Sequence, residues 1–143
     1  MRLTTFSDYT IRVLIYIGLN PEKRATINEL ADAYGISRNH LMKVVHHLGQ
    51  TGYIETVRGK GGGFLLAMPA SGINIGHLIR STEERVSLVA CFGEDSSDCR
   101  IHSICEMKGI LREAVEAFYG ILERYTLADL LRDPARLSEL LLP

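Results

Sequence analysis

A chain of 143 residues with 46% apolar side chains has material for one hydrophobic core and a small extension, which excludes an array of independent domains. Its formal net charge of -1 hides an asymmetry: residues 1–70 carry eight Lys and Arg against five Asp and Glu, whereas residues 71–143 carry eight against twelve. The apolar stretch Ile11–Leu19 is too short, and at Arg12 too charged, to span a bilayer, and no basic segment leads into a signal-type core; a cytoplasmic protein with no membrane partner is expected.

The segment Ser7–Leu19 places Ile11, Leu14, Ile15 and Leu19 at helical spacing, with Val13 and Ile17 between them, and predicts a largely buried first helix that ends at Asn20-Pro21. A second helix starts at Thr26, three residues before Glu29, the spacing of a capping box, and stops at Gly35. A third follows Ser37, a natural N-cap, with Leu41, Val44, Val45 and Leu48 on one face; Gly49 or Gly52 is expected to close it. The period then shortens. YIETV and FLLAM read as two strands joined by the glycine-rich turn RGKGGG. Pro69–Gly72 forms a linker, residues 73–84 a further helix, and the stretch holding all three cysteines a loop. From Cys105 onward, Met107, Leu111, Val115, Phe118, Leu122 and Tyr125 recur at steps of four and three, which predicts a long amphipathic helix with a pairing seam.

The fold class is therefore mainly α with a small β-hairpin: a winged helix-turn-helix over residues 1–70, and a cysteine loop with a dimerisation helix over residues 71–143. In a helix-turn-helix the second helix enters the major groove by its N-terminal end, which here offers Ser37, Arg38, Asn39 and His40, with Lys43 one turn later. Arg38 and Asn39 have the donors and acceptors to read base edges; Ser37, His40 and Lys43 suit phosphates. Arg58 and Lys60 sit in the glycine turn of the hairpin, where a basic wing meets the phosphate backbone or a minor groove. Each cation alone is an ordinary solvated charge. The ordered set of helix, helix-turn-helix and basic wing points to double-stranded DNA.

Cys91, Cys99 and Cys105 form a C-x7-C-x5-C arrangement, and an odd number of clustered thiols in a cytosolic chain suggests a metal rather than disulfides. Soft thiolates suit an iron-sulfur cluster or zinc, and the spacing does not choose between them. His102 makes a Cys3His zinc site conceivable, and three unligated thiols in a dimer surface are the plainest alternative. An enzyme built on a reactive thiol would need a base and oxyanion donors beside one cysteine, and no nucleophile motif surrounds any of them.

The chain resembles the Rrf-type winged-helix regulators, and within them the nitric-oxide-sensing repressors. The likeness is carried by the opening MRLTTFSDYTIRVLIYI, the string GISRNHLMKVV, the wing VRGKGGG, the PAS-containing linker, the three-cysteine loop and the YTLADLL tail. The resemblance implies a homodimeric repressor on a near-palindromic operator, with an iron-sulfur cluster on Cys91, Cys99 and Cys105, 4Fe-4S in preference to 2Fe-2S. It further implies that Asp8, supplied by the partner subunit, fills the fourth position; read alone, Asp8 is a first-turn acid favoured by the helix dipole. Nitric oxide is then the signal, with iron or redox state as the alternative within the same family and a structural zinc protein as the more distant one. A related branch uses a histidine shortly after the third cysteine, where this chain has Lys108.

Overall fold

The computed structural model describes residues 2–83 and 99–143; Met1 and residues 84–98, including the expected ligand Cys91, lie outside the described residues. Helix α1 spans Thr5–Leu19 and begins two residues before its predicted start. Thr4, not Ser7, is the N-cap: its hydroxyl accepts from the Ser7 N–H at 3.1 Å, while Ser7 itself is buried. Thr4, Thr5 and Ser7 can all cap by local chemistry, and the choice among them falls to a contact distant in sequence, described below.

Helix α2, Ile27–Tyr34, opens on the predicted capping box. The Thr26 hydroxyl accepts from the Glu29 N–H, and Glu29 reaches back to the Thr26 N–H at 2.8 Å. Partial burial pushes the Glu29 carboxyl up, but the bonds from Lys23 and Thr26 outweigh it and hold the group below its ordinary range. The helix ends on Gly35 at φ 63°, a left-handed conformation that costs a residue bearing a Cβ about 1 kcal/mol or more. Ile36 is buried in the turn, and Ser37 caps α3, Arg38–Gln50. Of the two expected glycines, Gly52 closes α3: the helix passes through Gly49 to its C-cap Thr51, and Gly52 follows at φ 77°, its N–H donating to the Gly49 carbonyl at 3.3 Å and the Tyr53 N–H to the Leu48 carbonyl at 3.0 Å.

Strands β1, Ile54–Val57, and β2, Gly63–Leu66, pair antiparallel with Ile54 opposite Leu66 and Val57 opposite Gly63. A 3₁₀ turn over Ala70–Gly72 leads to α4, Ile75–Glu83. After a second short 3₁₀ turn, His102–Ile104, comes α5, Glu106–Leu122, then two short helices, α6 at Leu127–Leu130 and α7 at Pro134–Leu141.

Helix α1 is the hub, packing against α3, β2, α4, α6 and α7. Its Val13, Leu14 and Ile17 meet Leu30, Leu41, Val44 and Leu48 from α2 and α3, and the same core takes in Ile73, Leu78, Ile79 and Leu127 from beyond residue 70. Burying one such leucine stabilises the fold by roughly 1.5–3 kcal/mol relative to leaving it exposed.

Apart from Met107, which is exposed, the helical part of the seam read from sequence for α5 turns inward. Leu111, Val115, Phe118 and Leu122 are half-buried, Leu122 packs against the core, and Tyr125 lies beyond the helix end. Its carbonyl accepts from the Ile75 N–H at 3.0 Å instead. A second line of side chains, Met107, Ile110, Ala114, Ala117 and Ile121, follows the same four-and-three spacing and faces solvent. Periodicity finds such seams but cannot say which one the rest of the chain will cover. The docking of α5 on α4 is polar: Arg80 forks onto Glu116 at 3.0 and 3.1 Å, reaches Glu123 at 3.2 Å, and stacks over the Tyr119 ring. Among the described residues no helix is long and apolar enough to cross a membrane.

Candidate nucleic-acid interface and cysteine centre

The N-terminal end of α3 presents its polar residues as the sequence predicts. Arg38, Asn39 and Lys43 are exposed and make no side-chain hydrogen bond or ion pair among the described residues, while Leu41, Val44, Val45 and Leu48 anchor the opposite face in the core. Ser37 and His40 are engaged with each other: the Ser37 hydroxyl lies 3.0 Å from His40 Nδ1 and caps the His40 N–H. Met42, half-exposed on the same outward side, was not singled out by sequence because an apolar residue between polar ones carries no helix-face signal.

Arg58 and Lys60 stand exposed in the turn between β1 and β2. The turn is closed by the Gly62 N–H donating to the Gly59 carbonyl at 2.9 Å. Its base is joined to the α1–α2 connector, where Ala25 and Phe64 exchange two backbone bonds of 2.9 Å and so add a one-residue third edge to the hairpin.

Of the three cysteines, Cys99 is exposed and Cys105, at the N-cap of α5, is half-buried; both are free thiols. No three His, Cys, Asp or Glu side chains gather into a metal site among the described residues. Lys108 donates to His102 Nε2 at 2.5 Å. Asp8 lies on α1, where Arg12 holds it through bonds of 3.0 and 3.2 Å. The pair lines an open cleft of about 580 Å³, together with Arg2, Tyr9, Tyr34 and Gly35. Asp8 opens onto this cleft with both carboxylate oxygens engaged by Arg12, while Cys99 and Cys105 offer soft thiolate donors of the kind an iron-sulfur cluster takes. Tyr34 backs the cleft: burial, only partly offset by nearby Arg12, pushes its hydroxyl up to about 12, and it donates to the Arg12 carbonyl at 3.0 Å.

The two regions are joined by a contact that sequence reasoning missed. Glu83, the last residue of α4 and 7% exposed, receives on one carboxylate oxygen the Thr4 N–H at 2.7 Å, the Thr4 hydroxyl at 2.8 Å and the Ser7 hydroxyl. This buried acid fastens the first turn of α1 to the C-terminal end of the described part of α4. From that turn, Phe6 sets its ring edge-on against His47 of α3 at 5.3 Å, and Tyr9 lies against His40 at 6.0 Å. The partners of Glu83 lie 76 to 79 residues away in sequence, and no local pattern could signal them.

Residues 3–133 match the Rrf2 family, described as iron-dependent transcriptional regulator. The HTH-type transcriptional regulator NsrR of Geobacillus kaustophilus is 46% identical over 142 residues, 99% of this chain and 97% of the relative. The protein of the same name from Bacillus subtilis is 43% identical over the same shares of both chains. Among solved structures, T. potens IscR superposes with a TM-score of 0.74 at 22% identity, covering 93% of this chain and 88% of that one, which supports the fold.

Proposed function

The chain belongs to the Rrf2 family of transcriptional regulators, and from that premise we propose that it represses transcription by gripping a DNA operator only while an iron-sulfur cluster is seated on its cysteines. It is a DNA-binding regulator of the winged-helix type and not an enzyme. The observation that carries the regulatory part is the Glu83 clamp, because it ties α4, which precedes the cysteine segment in sequence, to the helix that supports α3.

Cys91, Cys99 and Cys105 would hold the cluster, 4Fe-4S in preference to 2Fe-2S, with Asp8 of the partner subunit as the fourth ligand. When bound, the group supplies iron open to attack by nitric oxide. The rest is the work of the chain's own residues. Asp8 and Glu83 restrain the first turn of α1, and Phe6 and Tyr9 pass its position to His47 and His40 on α3. Were Asp8 released, that turn could shift and α3 would no longer meet the groove in the favoured arrangement, a two-state switch. Two subunits pair through the solvent-facing stripe of α5, presenting Arg38 and Asn39 of both recognition helices to a near-palindromic site in the cytoplasm.

The description of the family as iron-dependent favours one second reading, in which occupancy of the same cysteines reports iron itself. Anaerobic protein titrated with nitric oxide, while visible absorbance and binding to an operator selected from random duplexes are followed in parallel, separates the two. Absorbance and DNA affinity are expected to fall together. A colourless protein, or a coloured one whose DNA affinity ignores nitric oxide, would overturn the sensor reading.

A further inference from the structure

The wing is a poor candidate for self-support. Two four-residue strands joined by a turn containing Gly59, Gly61 and Gly62 make a marginal hairpin, and the glycines enlarge the freedom lost when the turn orders. Only Ile54 and Phe64 of the two strands are buried. The order of the tip must come from outside the hairpin, and the α1–α2 connector is placed to give it.

At the base, Ala25 pairs with Phe64 as described above. This approach leaves no room for a side chain at Gly63, where a Cβ would stand 2.5 Å from the Ala25 carbonyl oxygen and 3.1 Å from the Arg24 Cβ. At the tip, Arg24 donates from Nη1 to the Gly61 carbonyl at 3.1 Å. Its neighbour Lys23 is turned the other way, onto Glu29 at 2.9 Å. Arg24 thus spans from the edge of the sheet to the glycine turn, next in sequence to Lys60. A cation placed beside Arg58 and Lys60 repels them in the absence of DNA, so its position needs a reason other than charge balance.

We propose that Arg24 is a positioning residue of the DNA-binding wing: its guanidinium holds the Gly61 carbonyl so that Arg58 and Lys60 meet phosphates from a fixed turn. Its own charge is secondary. The proposal rests on the reading of the wing as a DNA contact, and the two can fail separately.

The test is a double-mutant cycle on the intact protein, using a mixed-sequence DNA duplex at low salt, where phosphate contacts dominate and neither operator nor signal enters. Arg58→Ala with Lys60→Ala is expected to weaken binding and to flatten the dependence of log affinity on log salt by about 1.8, as for two lost phosphates. Arg24→Ala is expected to weaken binding about fivefold, the worth of one ordinary hydrogen bond, and to have no effect when Arg58 and Lys60 are already alanine. Thermal unfolding of each variant shows that the fold is retained. If the Arg58/Lys60 variant binds like the parent, the wing reading and the proposal fall together. If that variant is weakened but Arg24→Ala is not, the proposal alone fails. If the Arg24→Ala loss persists in the triple variant, Arg24 is itself a DNA contact and the positioning role is overturned.

Discussion

The helix-turn-helix and helix α5 solve the same problem, how to cover an apolar helix face, in opposite ways. Helices α2 and α3 close their ends with their own caps and bury Leu30, Leu41, Val44 and Leu48 within the chain. Helix α5 buries one face only in part and leaves Met107, Ile110 and Ile121 each more than half exposed. The first region is complete in a single chain. The second leaves a face open, and Cys105 stands at its N-cap. A regulator needs both kinds of element: one whose shape is fixed, and one whose completion depends on partner and signal.

The comparison breaks if the two regions prove to be independent bodies. Leu127 belongs to the C-terminal half yet is fully buried in the shared core. Leu127→Ala is expected to cost about 2–5 kcal/mol of unfolding free energy. Urea unfolding followed by probes on α3 and on α5 should give one shifted transition; two separate transitions would show that residues 1–70 stand alone.

The open face of α5 sharpens the contrast. Ile110→Glu puts a charge in the middle of the exposed stripe, and it is expected to shift the subunit equilibrium toward monomer in sedimentation while changing monomer stability by less than about 0.5 kcal/mol. A variant that remains dimeric would mean that subunits pair elsewhere. Between the two regions, Glu83→Gln keeps the shape of the clamp but removes the carboxylate that three donors address. A loss of about 1–3 kcal/mol in stability is expected. Operator affinity of the cluster-loaded protein should drop toward that of the cluster-free protein, with the visible absorbance retained. Unchanged affinity would remove Glu83 from the path between sensing and DNA.

These differences also explain what could be read from the sequence. The Thr26–Glu29 box, Ser37, Gly35 and the glycine turn are decisions made within four residues of backbone, so α2, α3 and the hairpin fall where local chemistry puts them. The start of α1 does not, because Thr4 is chosen over Ser7 by Glu83 from the far end of α4. Both faces of α5 satisfy the same spacing, so periodicity alone does not say which one packs within the chain. The ligand assignment was legible only in part. Clustered thiols at Cys99 and Cys105 announce a soft metal, whereas the cluster, the role of Asp8 and the nitric oxide signal came through family resemblance, and Cys91 lies outside the described residues.

Because the fifteen residues of α1 touch α3, β2, α4, α6 and α7 at once, they are a bottleneck for sequence drift. A substitution that retunes sensing at the Asp8 end also perturbs the seat of the recognition helix, and one that adapts α3 to a new operator feels back toward Asp8. Descendants of this chain can therefore vary the exposed tip of the wing and the solvent-facing side of α5 more freely than α1 or the parts of β2, α6 and α7 that pack on it.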